Sequence, residues 1–191
     1  MKRMKKLLTG LLTLGMTLSM MTMTAFAAGP TTGTTEKMPT IDFDVNKTGS
    51  ITIHKYEYNG TDGVTGTGAD NQTPPTGAEP LAGVTFKITK IAELNDYYGT
   101  DAKAFPTVEQ AKTMTSIGTP IVQITDENGE AKFNNLSLGL YLVQETDAPA
   151  QITGKVGDFL VSIPMTNADE DDWLYDVHVY PKNKSTYGGV T

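Results

Sequence analysis

The stretch "PIVQITDENGEAKFNNLSLGLYLVQET", Pro120 to Thr146, carries three short strand-like runs punctuated by Asn128-Gly129 and by Leu138-Gly139. Gly beside Asn or Leu supplies the turn conformations that end a strand, and the runs between are too short for ordinary helices. Within the third run, Tyr141, Val143 and Glu145 share one face, while Leu140, Leu142 and Gln144 share the other. Both faces are partly apolar, so alternation alone leaves Glu145 either inward or on an exposed edge.

Upstream, "AGVTFKITKIAEL" (82–94) places Val84, Phe86 and Ile88 on one face, and "GSITIHKYEYNG" (49–60) sets Ile51, Ile53 and Lys55 against Thr52, His54 and Tyr56. Both read as strands, the first ending on the Asn59-Gly60 turn signal. Residues 60–80 have almost no bulky apolar side chain and read as a long loop. Between 95 and 120 the period of two is lost. Thr107-Val108-Glu109-Gln110 resembles a capping box opening a short helix that ends near Gly118. Downstream come "FLVSIPMT" (159–166) and a last strand, "WLYDVHVYPKN" (173–183). Seven or so short strands with one helical insertion predict an all-β, antiparallel β-sandwich.

Composition narrows the class. The chain of 191 residues has no Cys, 19 Gly, 10 Pro and a formal charge of −7, which suits one loop-rich globular domain. "MKRMKK" leads into an apolar run diluted by Thr, Ser and Gly, then Ala25-Phe26-Ala27, the pattern of a secretory signal peptide over 1–27. Removing its four cations takes the charge from −7 to −11, and an acidic surface without a basic run argues against nucleic acid. Residues 28–48 read as a flexible, Thr- and Gly-rich leader, 49–184 as the sandwich, and 185–191 as a linker or truncated C-terminus.

Three polar residues stand out by their parity. Lys55 follows Ile51 and Ile53 on the side expected to face the core, where it is either paired in the interior or at the strand end with its amine reaching solvent. Glu145 raises the same question. On the last strand Trp173, Tyr175, Val177, Val179, Pro181 and Asn183 share one face and Asp176, His178, Tyr180 and Lys182 the other, so alternation continued through Pro181 points Asn183 inward and Lys182 outward.

"WLYDVHVYPKN" resembles the pilin motif of backbone pilins in the sortase-assembled pili of Gram-positive bacteria, W-x-x-x-V-x-V-Y-P-K often followed by N; Trp173, Val177, Val179, Tyr180, Pro181 and Lys182 match it. "YLVQETDAP" (141–149) resembles the E-box of the same proteins, with Val143 in place of the usual Leu. The run from Thr125 also resembles the immunoglobulin-like B-type domains of collagen adhesins, and "GSITIHKYE" resembles the first strand of a pilin N-terminal domain. The resemblance extends from about residue 49 to 184. It implies an immunoglobulin-like sandwich acting as a structural subunit of a pilus shaft.

Two covalent events are implied with it. A class C-type sortase joins Lys182 to the sorting-motif threonine of the next subunit. Lys55 and Asn183 form an internal isopeptide bond without an enzyme, with Glu145 as its catalytic carboxyl. Burial disfavours charge, leaving a neutral Lys55 amine as nucleophile, while a Glu145 that carries a proton polarises the Asn183 amide.

The implied partners are identical or related pilin subunits, the sortase and host surface ligands; the implied location is secreted, in a cell-surface pilus attached to the wall. The family's further sandwich domains and L-P-x-T-G sorting motif are not in this sequence, so the expectation is an N-terminal domain of a longer subunit. The alternative is a surface adhesin or a carbohydrate- or protein-binding module, for which Tyr56, Tyr58, Tyr97 and Tyr98 are candidate platform residues. No cofactor or metal site is expected: Asp169 to Asp172 lack calcium-loop spacing. Multiple-turnover enzymology is not expected either, since only His54 and His178 are available, each on a strand's apparent solvent face, with no hydrolase motif.

Overall fold

A computed structural model describes residues 40–44, 46–57, 66–70, 72–99, 101–150, 152 and 154–181. Two sheets face each other. The first holds β1 (Thr48–His54), β6 (Glu130–Ser137) and β11 (Asp176–Val179), in the order β11-β1-β6. The second holds β4 (Thr85–Glu93), β5 (Ile121–Ile124), β7 (Gly139–Asp147) and β8 (Phe159–Ile163), in the order β5-β4-β7-β8. Two short ribbons flank them: β2 (Tyr56–Glu57) with β3 (Glu79–Pro80), and β9 (Met165–Thr166) with β10 (Trp173–Leu174).

The all-β sandwich holds, with one departure from antiparallel pairing. β1 runs parallel to β11, with Ile51 opposite Val177 and Ile53 opposite Val179. No hairpin joins these two strands, and the whole domain serves as their connection, so their relative direction is free of turn geometry. Two runs that read as single strands are each broken. Pro164, which has no N–H to offer a ladder, separates β8 from β9. Tyr175 separates β10 from β11, and its carbonyl accepts from Ser50 N at 2.9 Å, handing the chain over to β1.

The main core lies between the sheets. Ile51, Ile53, Phe133, Val177 and Val179 meet Val84, Phe86, Ile88, Tyr141, Val143 and Val161. A second apolar cluster lies on the other face of the four-stranded sheet, where Ile91, Leu140, Leu142 and Leu160 are covered by Ala111, Tyr97, Phe105, Val108 and Met114 of the insertion. This settles the ambiguous parity of β7: Tyr141, Val143 and Glu145 face the sandwich interior, and Leu140 and Leu142 face the insertion. A register shift between Lys90 and Ala92 lets β4 serve both layers.

The insertion itself departs from expectation. It contains two helices of one turn each, α1 (Asn95–Tyr98) and α2 (Val108–Ala111). The capping box on α2 forms as read, with Thr107 and Gln110 bonding each other's backbone N–H. The helix stops at Lys112 rather than near Gly118. Thr113, Thr115 and Ser116 are weak helix formers, and Ile117 N donates to Lys90 O at 2.8 Å, drawing the chain back onto β4. The end of the predicted leader is also docked: Ile41 packs in the main core, and Lys47 Nζ lies 3.7 Å from the Tyr175 ring centroid. Of the tyrosines that are candidates for a binding platform in the alternative reading, two pack on other aromatic rings. Tyr97 stacks on Phe105 and Tyr98 meets Trp173 edge-on, both half-buried, as is Tyr56 on β2, and Tyr58 lies outside the described residues.

Because β7 is buried on both faces over Leu140–Val143, Leu142→Ala is expected to cost about 2–5 kcal/mol, comparable with Phe133→Ala at about 3–5 kcal/mol. Val122→Ser, on the edge strand at 53% exposure, is expected to stay within about 0.5 kcal/mol. Urea unfolding of the three variants measures this; a cheap Leu142→Ala would mean that the insertion does not seal the outer face.

Candidate cross-link site

Lys55 follows β1 after one residue in which the chain leaves the ladder, and its side chain keeps the inward direction of Ile51 and Ile53. Its backbone is clamped on both sides: Lys55 N donates to Gly129 O at 2.7 Å, and Leu81 N donates to Lys55 O at 2.9 Å. Gly129, at φ +74°, closes the turn that supplies the first bond, and a Cβ there would stand 2.2 Å from Lys55 O. Only glycine fits that approach. Asp126 holds the turn from below, its carboxylate accepting from Asn128 N and Glu130 N at 2.9 Å each. The Asn128-Gly129 signal therefore positions the lysine as well as ending a strand.

The amine crosses the sandwich. Lys55 is fully buried, and its Nζ lies 3.0 Å from Oε2 of Glu145 on the opposite sheet. Glu145 sits beside Phe86 in the β4–β7 register, and the Phe86 ring centroid is 5.8 Å from the amine. Val156 N also donates to Glu145 Oε2, at 3.3 Å, whereas buried Oε1 has no hydrogen-bond partner among the described residues. Both alternatives left by parity, an amine reaching solvent and an exposed edge glutamate, are thus excluded.

Burial dominates the electrostatics. Removal from water pushes the Lys55 amine down from 10.5 to about 8, and the attraction of Glu145 offsets only part of that. A buried pair of this kind is poor support for stability, because desolvation consumes most of the Coulomb attraction. Its chemical meaning is different: near neutral pH this amine loses its proton far more readily than an exposed lysine.

The motif residues divide by role. Val177 and Val179 pair with Ile51 and Ile53 and fill the core. Trp173 is half-buried against Tyr98, with ring centroids 5.4 Å apart. Tyr180 is buried and stacks on His54 at 4.5 Å and 8°, and Pro181 is buried beside it. Lys182 and Asn183 lie outside the described residues. Two residues past the Ile53–Val179 pair, one chain is at Lys55 and the other at Pro181. Sequence reasoning placed His54 on a solvent face, but it is buried beneath Tyr180 and beside His178. It also missed Val156, which had no signal beyond lying in a loop.

The molecule is thus an all-β, two-sheet sandwich with its first and last strands side by side and a lysine–glutamate pair across its core. Residues 46–184 match the model of the Gram-positive pilin subunit D1, N-terminal domain, and the chain belongs to that family. It is 38% identical over 156 residues to fimbrial subunit type 1 of Actinomyces viscosus, covering 79% of this chain and 28% of that one. It is 34% identical over 164 residues to fimbrial subunit type 2 of Actinomyces naeslundii, covering 75% and 30%. Among solved structures it is similar to the full-length major pilin SpaD from Corynebacterium diphtheriae, at 37% identity and TM-score 0.61, over 77% of this chain and 34% of that chain. The chain therefore spans about a third or less of these relatives. No helix among the described residues is long and apolar enough to cross a membrane.

The amine makes a signed prediction. In an Asn183→Ala chain, where Lys55 cannot be acylated by that residue, the folded amine titrates at about 8 and the unfolded one at 10.5. Between those values the unfolded state binds more protons, so unfolding free energy is expected to rise with pH across the window. Adding Lys55→Met should remove that rise, as measured by urea midpoints of both chains from pH 7 to 11. Parallel profiles would mean that the amine is not held in the interior.

Proposed function

We propose that this chain is the N-terminal domain of a structural pilus-shaft subunit, exported to the cell surface and joined to neighbouring subunits by sortase chemistry. In this reading Lys182 is the acceptor: its amine displaces the sortase from the threonine of a cleaved sorting motif, forming an amide between subunits. A second bond forms within the domain. Neutral Lys55 Nζ attacks the Asn183 side-chain carbonyl carbon, the new C–N bond replaces the bond to the amide nitrogen, and ammonia leaves. Glu145, carrying a proton, hydrogen-bonds the amide oxygen, protonates the departing nitrogen and recovers a proton from the lysine nitrogen. This is a single event in each molecule and not enzymatic turnover.

The observation that carries the reading is the Lys55–Glu145 pair, buried at 3.0 Å with the amine lowered to about 8. Membership of the pilin family and the parallel pairing of β1 with β11 support it. So does Glu145 Oε1, a buried oxygen without a hydrogen-bond partner among the described residues, since such an atom is rare and suits an incoming amide. Closing a loop from Lys55 to Asn183 would contribute roughly 4–5 kcal/mol by analogy with disulfides.

Intact mass tests the internal bond. The purified domain is expected to be lighter than its sequence by one ammonia, and Glu145→Ala is expected to keep the full mass. A full-mass parent would refute the internal bond. For the acceptor role, Lys182→Ala should abolish incorporation by sortase with a full-length donor subunit while leaving the ammonia loss intact; unchanged polymerisation would remove Lys182 from the assignment.

A further inference from the structure

On the face of the three-stranded sheet opposite the core, three side chains from three separate segments converge. His54 Nε2 at the end of β1 lies 2.8 Å from His178 Nδ1 on β11. Asp70 Oδ1 lies 3.4 Å from that His178 nitrogen and 3.8 Å from His54 Nε2. A tetrahedral ion with bonds of about 2.0–2.2 Å needs its ligand atoms about 3.3 Å apart. The three separations bracket that value. The geometry points to a binding site for a divalent transition metal of the Zn2+ class, with His54 Nε2, His178 Nδ1 and Asp70 as ligands and a fourth position open to solvent.

The surroundings suit a cation in four ways. Imidazole nitrogen with one carboxylate is a borderline donor set, which favours Zn2+, Co2+, Ni2+ and Cu2+ over Ca2+ and Mg2+. Glu130 Oε1 stands 3.5 Å from the other His54 nitrogen, Nδ1, so a proton on Nδ1 faces a carboxylate and the Nε2 lone pair faces the site. Tyr180 stacks on His54 and fixes the ring plane. Asp70 is 70% exposed and can shift by the few tenths of an ångström that bonding requires. Metal binding asks that His178 carry its proton on Nε2 and that the two ring nitrogens part by about 0.5 Å from their 2.8 Å separation, which replaces the ring-to-ring hydrogen bond by two metal–nitrogen bonds and releases no proton from neutral rings.

The third ligand is delivered by a built contact. His178 N donates to Gly68 O at 2.7 Å, and Gly68 pairs with His178 as an isolated antiparallel bridge. Gly68 sits at φ +81°, a backbone conformation that suits glycine, as the loop reaches β11. Bound metal would tie this loop to the first and last strands at the end where Lys55 and Tyr180 lie. The inference stands apart from the cross-link chemistry, since the ligand side chains lie on the face of the sheet opposite to the one that Lys55 shares with Ile51 and Ile53.

The test uses tag-free domain, stripped with chelator and titrated with Zn2+ by calorimetry, with Co2+ as a spectroscopic probe. One Zn2+ per chain is expected, with visible d–d bands of tetrahedral Co2+ and a Tm raised by roughly 8–9 °C when free Zn2+ is a hundred times Kd. His178→Gln is expected to weaken binding by at least about 100-fold, and Asp70→Asn and Glu130→Gln by about 10–100-fold each. Circular dichroism checks that each variant is folded; Asp70→Asn, at an exposed position, keeps the test decisive if a histidine variant unfolds. Absence of saturable Zn2+ binding, Ca2+ binding of equal strength, or Zn2+ binding unchanged in Asp70→Asn and His178→Gln would each overturn the assignment.

Discussion

An amine in the middle of a β-sandwich constrains everything around it. Lys55 cannot hold a full charge there without a partner, and Glu145 can be that partner only if β7 presents its Tyr141–Val143–Glu145 face to the interior. That orientation turns Leu140 and Leu142 to the other side of the sheet, where they need cover. The insertion between β4 and β5 supplies it. The position of a single ionisable pair thus accounts for why a two-layer sandwich carries a third, partial layer on one face.

The same pair explains the tightness of the backbone near Lys55. The Asp126–Glu130 turn and the Leu81 segment hold the main chain on both sides, so the side chain has no route out along the strand end. Long lysines at strand ends usually reach water. Here the exit is closed by backbone hydrogen bonds from Lys55 to Gly129 and Leu81, and burial lowers the amine to about 8.

Much of the fold was legible from period-two alternation and turn residues: β1, β4, β6, β7, β8 and β11 lie where Ile51, Phe86, Phe133, Val143, Val161 and Val177 indicated. Alternation failed where both faces of a strand are buried, as at Leu142, because it reports contrast and there was none. It also misplaced His54. Polarity was read as exposure, whereas the residue lies under Tyr180 and next to a loop that arrives from sixteen residues further along the chain. The inward direction of Lys55 was visible in its parity with Ile53, but its depth was not, since depth depends on the Gly129 turn and on Leu81, which are remote in sequence.

The parallel pairing of β1 with β11 carries a mechanical consequence. Because the strands run the same way, β1 begins at one pole of the domain and β11 ends at the other. Tension applied through the two ends of the domain pulls them past each other along their length, loading the hydrogen bonds between Ser50–Ile53 and Asp176–Val179 together in shear. An antiparallel pair pulled from the same side would instead unzip one bond at a time. The shared direction of these two strands therefore sets a shear geometry, and not a peeling one, for a pull along the chain.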